Sequence, residues 1–304
     1  MRWLKKGLLI QPGTFEWMVT YAQNPFVENV ENSLYKVHFA GRDRANRARG
    51  GYASVDFKDS VKLLYITPEP TIDLGDLGCF DDCGVMPSCI VDSDSKKYMY
   101  YTGWKQEVVT PFSFFIGLAI SEDGGKTYER YSKAPVLGRT EHDPYLTASP
   151  WVTKENGIWR MWYVSGTGWE VVQNDPKSKH YYHIRYAESL DGLNWNPQGL
   201  DCIDLRQDEY AIARPVVYQE GCTYKMWYSH RGGWNTYRAG YAESKDGLSW
   251  KRMDDTVGID VSPQGWDSEM ICYPFVFKHE ARNYMLYNGN GYGKSGCGYA
   301  VLVE

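Results

Sequence analysis

No run of apolar residues in this 304-residue chain approaches the ~18 that a membrane-spanning helix needs. Near the start, Leu8-Leu9-Ile10 follows Lys5 and Lys6, but three apolar residues are too few for the centre of a signal peptide. A soluble, cytoplasmic protein is expected. Cysteine is present without a pattern. The seven copies (Cys79, Cys83, Cys89, Cys202, Cys222, Cys272, Cys297) are odd in number and show neither paired metal-ligand spacing nor disulfide-scaffold density. Cys79 and Cys83 form the closest pair, and no second pair completes a zinc site, so buried free thiols are expected. Positive charge is not in excess either: 33 Lys and Arg face 38 Asp and Glu, for a net charge of −5. With both signs dispersed, nothing suggests a nucleic-acid footprint. No segment shows a convincing amphipathic-helix period.

Aromatic residues, by contrast, are abundant, with 25 Tyr and 12 Trp, which suits β-structure and stacking on flat ligands. Five of the prolines recur with a period. Pro25, Pro87, Pro150, Pro215 and Pro274 stand 62, 63, 65 and 59 residues apart. Each opens a short strand that is followed by a polar turn and an aromatic second strand ending at Phe39, Tyr101, Tyr163, Tyr228 or Tyr287. The interval from proline to that aromatic is 14, 14, 13, 13 and 13 residues, so one supersecondary unit repeats in nearly constant register. A third strand carries an Asp-Gly hairpin cue in three copies, at Asp123-Gly124, Asp191-Gly192 and Asp246-Gly247. A fourth opens on Tyr128, Trp195 or Trp250.

Four antiparallel strands per unit and five units predict an all-β fold, a five-bladed β-propeller. One domain is expected over 1–304, with blades at approximately 15–65, 79–135, 140–200, 206–255 and 266–304 plus 1–10. The last unit runs out after its third strand, and Arg2-Trp3-Leu4-Lys5 resembles the missing fourth. The N-terminal strand is therefore expected to close the last blade and remove an exposed edge.

In such a ring the innermost strands line the axis, so residues just upstream of the prolines converge. Acids recur there: Asp81 and Asp82, Asp143, Asp208 and Glu209, and Asp267 and Glu269. Paired carboxylates are what glycoside cleavage needs, one to protonate the leaving oxygen and one to activate water or attack the sugar. Asp also begins strands as a turn cap, and for any single member that is the commoner role. Gly41-Arg42-Asp43 and His230-Arg231-Gly232-Gly233-Trp234 follow second strands and offer groups that grip a hydroxyl, carboxylate or phosphate. Arg42 and Asp43 bracing one another is the equal alternative. Trp104, Trp169, Trp234 and Tyr292 suit either stacking on sugar or packing between blades.

The stretch Asn24-Pro25 through His38-Phe39-Ala40-Gly41-Arg42-Asp43 to Gly51-Tyr52-Ala53-Ser54 resembles the first blade of the five-bladed glycoside hydrolases. That group includes families 32, 43, 68 and 130, the last comprising mannoside phosphorylases. The hairpins from Ser189 to Trp195 and from Ser244 to Trp250 are similar to the same group. The resemblance implies a catalytic Asp directly before a blade proline and an acid Glu about two positions before it. Here those positions hold Asn24, Met86, Ser149, Arg214 and Tyr273, and Gln23, Val85, Ala148, Ala213 and Cys272. The Asp-Pro-Arg of the phosphorylases would fall on Met86-Pro87-Ser88 and is absent.

The expected function is thus a glycoside hydrolase-like enzyme that uses displaced acids on a small intracellular glycoside, sugar phosphate or sugar nucleotide. Glu209 is assigned as general acid, and Asp82 or Asp143 as base. Asn24, Arg42, Asp43, His142, Arg214, His230, Arg231 and Glu269 are assigned to substrate binding. The alternatives are a non-hydrolytic carbohydrate-binding propeller, or other chemistry on a sugar-derived ligand with His142 or His230 as acid–base group. No cofactor is expected. Carboxylates from several blades leave room for a divalent ion in the channel, although no ligand spacing predicts one. The expected partner is a small carbohydrate, with no nucleic acid or membrane, and the expected state is a monomer.

Overall fold

The computed structural model describes residues 1–171, 179–233 and 236–304, so Trp234 lies outside the described residues. Among these, helical turns are confined to Glu16–Met18, Asp254–Thr256 and Asn290–Gly293, and the rest of the regular structure is strand. None of these helices is long and apolar enough to cross a membrane.

After β1 (Trp3–Ile10) come five antiparallel meanders. The first is β2 (Thr20–Glu31), β3 (Leu34–Arg42), β4 (Ala48–Asp56) and β5 (Lys62–Ile66). The second is β6 (Gly84–Ser93), β7 (Lys96–Gln106), β8 (Phe112–Ser121) and β9 (Glu129–Arg130), and the third is β10 (Thr147–Glu155), β11 (Ile158–Glu170), β12 (Lys179–Ser189) and β13 (Asn196–Ile203). The fourth is β14 (Ala211–Glu220), β15 (Thr223–Arg231), β16 (Arg238–Ser244) and β17 (Trp250–Arg252). The fifth has three strands of its own, β18 (Cys272–His279), β19 (Arg282–Asn288) and β20 (Cys297–Leu302). Its fourth place is taken by β1, which pairs antiparallel with β20 from Trp3↔Leu302 to Ile10↔Cys297.

The first strands are neighbours in sequence order: β2 lies by β6, β6 by β10, β10 by β14, β14 by β18, and β18 by β2. Large side chains fill the spaces between meanders, with Trp159, Trp162 and Trp227 fully buried. The Asp-Gly hairpins set the register between them. In the third meander Ser189 Oγ accepts from the Gly192 N–H at 2.9 Å, and Gly192 takes φ of +73°, which glycine adopts without strain. Its carbonyl then accepts the Tyr100 hydroxyl of the second meander at 2.7 Å. One unit on, the Gly247 carbonyl accepts Trp162 Nε1 at 2.8 Å.

Every repeat proline sits at a break in the ladder. Register shifts fall between Gln23 and Phe26, Pro87 and Cys89, Ala148 and Trp151, Ala213 and Val216, and Cys272 and Phe275. Proline has no N–H to give the ladder, and a bulge re-aims the side chain beside it. Asn24, Ser149, Arg214 and Tyr273, each directly before its proline, have φ of +58°, +48°, +58° and +56°. Three of the displaced N–H groups find side-chain acceptors on a neighbouring second strand. Asn24 N donates to Asn288 Oδ1 at 2.9 Å, Ser149 N to Thr102 Oγ1 at 2.7 Å, and Tyr273 N to Ser229 Oγ at 2.7 Å.

Candidate functional site

The bulges turn Asn24, Ser149 and Tyr273 into a pocket of about 250 Å³ at the ends of the first strands, where Met86 joins them. That size is just below the usual range for ligand pockets and suits a small ligand. All five meanders contribute to its wall: Gln23 and Arg42 from the first, Thr102, Phe112 and Phe114 from the second, Leu146, Ala148, Val164, His180 and Tyr182 from the third, Ala213 and Arg231 with the preceding loop of β16 (Tyr237) from the fourth, and Tyr292 from the fifth. Among the described residues, no Asp or Glu lines this pocket.

Two guanidinium groups do. Arg42, at the end of β3, lies 4.2 Å from the Tyr21 ring and 4.7 Å from the Trp104 ring. Its Nε donates to Gln23 Oε1 at 2.9 Å and its Nη1 to Asn46 Oδ1 at 3.1 Å. Burial draws its pKa below the usual arginine value. Arg231, at the end of β15, lies 4.8 Å from both the Tyr210 and Tyr237 rings. Its Nη1 donates to the Tyr292 hydroxyl at 2.9 Å, and its Nη2 meets His180 Nε2 at 3.0 Å and the Tyr182 hydroxyl at 3.3 Å. A guanidinium can only donate, so His180 accepts at Nε2 and carries its proton on Nδ1. Tyr182 and Tyr237 share a hydrogen bond between their hydroxyls. Burial pushes both phenols up, against the pull of Arg231, so they stay protonated donors at neutral pH.

Of the residues assigned from sequence, Asn24, Arg42 and Arg231 come together here. Arg214 is fully buried, and its Nη2 reaches across to the carbonyls of Asn24 at 3.2 Å and Pro25 at 3.4 Å. Burial lowers its pKa to about 10. It holds the backbone behind Asn24 and does not line the pocket.

The assigned carboxylates lie elsewhere, most of them in braces. Asp143 accepts the Tyr163 hydroxyl at 3.1 Å and Thr140 Oγ1 at 2.9 Å, with Arg185 at 3.7 Å, and is completely buried. The same brace recurs where Asp81 accepts Tyr101 (3.0 Å) and faces Arg130 (2.8 Å). It recurs again where Asp267 accepts Tyr287 (3.1 Å) and faces Lys5 (2.8 Å). In the fourth meander Arg252 binds Glu209 through both nitrogens at 2.6 Å and Asp254 at 2.8 Å. Glu209 also meets His230 Nδ1 at 2.9 Å and accepts the Arg206 N–H at 2.9 Å. Against the cost of burial, Arg252 and His230 hold its pKa well below the usual carboxylate range. Asp82 accepts the Gly78 N–H at 2.9 Å. Asp43 takes Arg47 at 2.8 Å and Arg49 at 2.6 Å, so it braces its loop through these arginines and not through Arg42. His142 sits beside Glu141 at 3.6 Å, and Glu269 is exposed. None of these acids and histidines lines the pocket.

The residues that sequence reasoning passed over are His180, Tyr182, Tyr237, Phe112 and Phe114. Most stand on the outer ends of the long third strands β8 and β12, far in sequence from any repeat proline. The alternations Phe112-x-Phe114 and His180-x-Tyr182 on one strand face are the signal that was available. Trp104 backs Arg42, and Trp169 packs on Phe112 and His180 at 5.1 and 5.2 Å. Both lie behind the wall. For metals, two clusters among the described residues gather three donors each, His183 with Asp201 and Asp204, and Glu209 with His230 and Asp254. In each, an arginine already faces the carboxylates: Arg185 on Asp201 at 2.7 Å, and Arg252 on Glu209 and Asp254. Two guanidinium groups without a carboxylate make the pocket itself a place for an anion and not for a divalent cation.

No family model matches the chain. Two proteins of Mycobacterium tuberculosis match it throughout: the uncharacterized protein Rv1502 of strain ATCC 25618 / H37Rv and the uncharacterized protein MT1551 of strain CDC 1551 / Oshkosh. Each is 42% identical over 305 residues, covering 99% of both chains. The chain belongs to their family. In fold it resembles solved glycoside hydrolases. One solved glycoside hydrolase superposes with a TM-score of 0.74 at 16% identity over 98% of this chain and 90% of that one. A thermostable family-43 glycoside hydrolase gives 0.69 at 17% identity over 97% and 94%. The GH32 beta-fructofuranosidase of Bombyx mori gives 0.65 at 16% identity, covering 97% of this chain and 61% of that longer one. At these identities the likeness is one of architecture.

Proposed function

We propose that the five meanders are the blades of one five-bladed β-propeller domain spanning 1–304, with the blade boundaries anticipated from the prolines. The cycle of adjacent first strands and the pairing of β1 with β20 support this reading. On it, the pocket stands at one mouth of the axis, where all five blades meet, and receives a single sugar unit. The protein is a glycoside hydrolase-like carbohydrate protein that does not cleave by the two-carboxylate route.

The observation that carries this reading is the composition of the wall. Four of the five positions beside the prolines, where the resemblance implies catalytic acids, face the pocket, and they hold Asn24, Met86, Ser149 and Tyr273. A two-carboxylate mechanism needs its acids within about 5–9.5 Å of one another across the scissile bond. Here Asp82, Asp143 and Glu209 are engaged in braces outside the wall. Sugar binding through aromatic faces, amides and hydroxyls needs none of them.

The test is a panel of aryl glycosides assayed for turnover beside calorimetric titration with free sugars. The expected outcome is binding without acid-dependent hydrolysis. Binding is lost in Ala148→Phe, which fills the pocket, and is kept in Asp143→Asn. The latter instead loses about 1–3 kcal/mol of stability to urea by weakening a buried brace. Hydrolysis that disappears in a folded Asp82→Asn, Asp143→Asn or Glu209→Gln variant would return the chemistry to those acids.

A further inference from the structure

The pocket has a polarity of its own. Met86, Phe112, Phe114, Leu146 and Val164 form an apolar arc contributed by the second and third meanders. The first and fourth meanders carry the two arginines, and the fifth adds Tyr292 between them. A continuous chain of contacts joins the two: Arg42 Nε donates to Gln23 Oε1, Gln23 Nε2 donates to the Tyr292 carbonyl at 3.4 Å, and the Tyr292 hydroxyl accepts from Arg231. Both guanidinium groups therefore belong to one connected stretch of the wall.

Three observations on these arginines point the same way. Each packs against two aromatic rings, which fixes the plane of the fork before any ligand arrives. Neither has a carboxylate partner among the described residues, although the chain as a whole has five more acids than bases. Each also keeps donor capacity: Arg231 Nε is buried without a partner, and Arg42 Nη2 is not engaged by any described residue. A buried charge without a counter-charge is costly unless its function supplies one. The remaining wall groups cooperate, since the Tyr182–Tyr237 hydroxyl pair stays protonated and offers a donor that also favours an anion.

We infer that the pocket selects a sugar bearing one anionic oxygen group, a carboxylate or a phosphate, held between Arg42 and Arg231 with the apolar face of the ring against Phe112 and Phe114. This rests on the sugar-binding reading above and gives it a substrate class: hexuronates or sugar phosphates, as free sugars or as the terminal unit of a small glycoside. Arg is suited to the task because its planar fork meets two oxygens at once, where Lys offers a point charge.

The experiment is isothermal titration of the full-length protein with D-glucuronate, D-galacturonate, glucose 1-phosphate and glucose 6-phosphate, each beside its neutral parent sugar. At least one charged member is expected to bind about tenfold or more tighter than its parent, with affinity falling as salt rises. Arg231→Gln and Arg42→Gln are expected to erase that preference. Arg231→Lys and Arg42→Lys, which keep the charge and are the safer variants for folding, are expected to retain only part of it. Uronates and phosphates in separate arms tell which anion is held. Equal affinity for charged and neutral sugars overturns this inference and leaves the sugar-binding reading standing. Binding of no sugar, charged or neutral, overturns that reading and this inference with it. A preference for the charged sugar that survives both Gln variants also overturns it, since the charge would then be read elsewhere.

Discussion

Asp81, Asp143 and Asp267 each stand 20 residues before the tyrosine whose hydroxyl they accept. That spacing is itself part of the repeat, and it explains why acids recur upstream of the prolines. From sequence, a repeated acid near an axis reads as chemistry, because the hydrogen bond that consumes it is made by a residue on the next strand. The arginines were easier to place, since Arg42 and Arg231 end equivalent second strands, and both reach the pocket. Buried charge has a further consequence on the first meander. Burial alone would raise the pKa of Glu28, but contacts with His38 at 3.0 Å and Lys97 at 2.8 Å outweigh it and hold the carboxyl at about 2. In the unfolded chain it titrates near ~4.3. A group depressed in the folded state contributes stability that is present above the unfolded value and is lost as pH falls through the folded one. Burial depresses His38 as well, so its share begins to fade lower than ~6.5. Thermal melts of the wild type and Glu28→Gln are expected to differ at neutral pH and to converge between about pH 4.3 and 2. A constant gap across that range would mean that the carboxylate is not the source.

At the scale of the strand, the decisive device is the bulge at each proline. Proline, hairpin and aromatic strand were all visible in the sequence, as was the place of Trp3-Leu4-Lys5 as a fourth strand, now paired with β20. The direction in which the bulge turns its side chain was not, because it depends on a left-handed residue whose displaced N–H is accepted from a neighbouring meander. Ser149 shows the arrangement, with φ of +48° and its N–H on Thr102. Glycine adopts that conformation freely, while an L-residue pays about 1–2 kcal/mol and a β-branched one more. Ser149→Gly is therefore expected to keep or raise stability to urea, and Ser149→Val to lower it by about 1–2 kcal/mol. Equal stability of the two variants would deny the strained bulge. The long third strands were the least legible elements. Their outer ends, carrying Phe112, Phe114, His180 and Tyr182, follow no repeat cue, and only the packing of the meanders brings them beside residues of the others.

At the scale of the molecule, a scaffold shared with glycoside hydrolases carries a wall of different chemistry. The ends of the first strands converge as they do in a ring of blades, so the repeat locates the pocket even though it does not name its residues. Asp81, Asp143, Glu209 and Asp267 brace the scaffold, and the positions that face the pocket offer cations, amides and phenols. On the reading proposed above, a sugar ligand sits in this pocket against Arg42 and Arg231. The most direct measurement is a crystal structure of the protein grown with the tightest-binding sugar of the charged panel. Density for the ring is expected beside Phe112 and Phe114, with its anionic oxygens on the two guanidinium groups. Density seated instead against Asp82, Asp143 or Glu209, with the pocket empty, would contradict it.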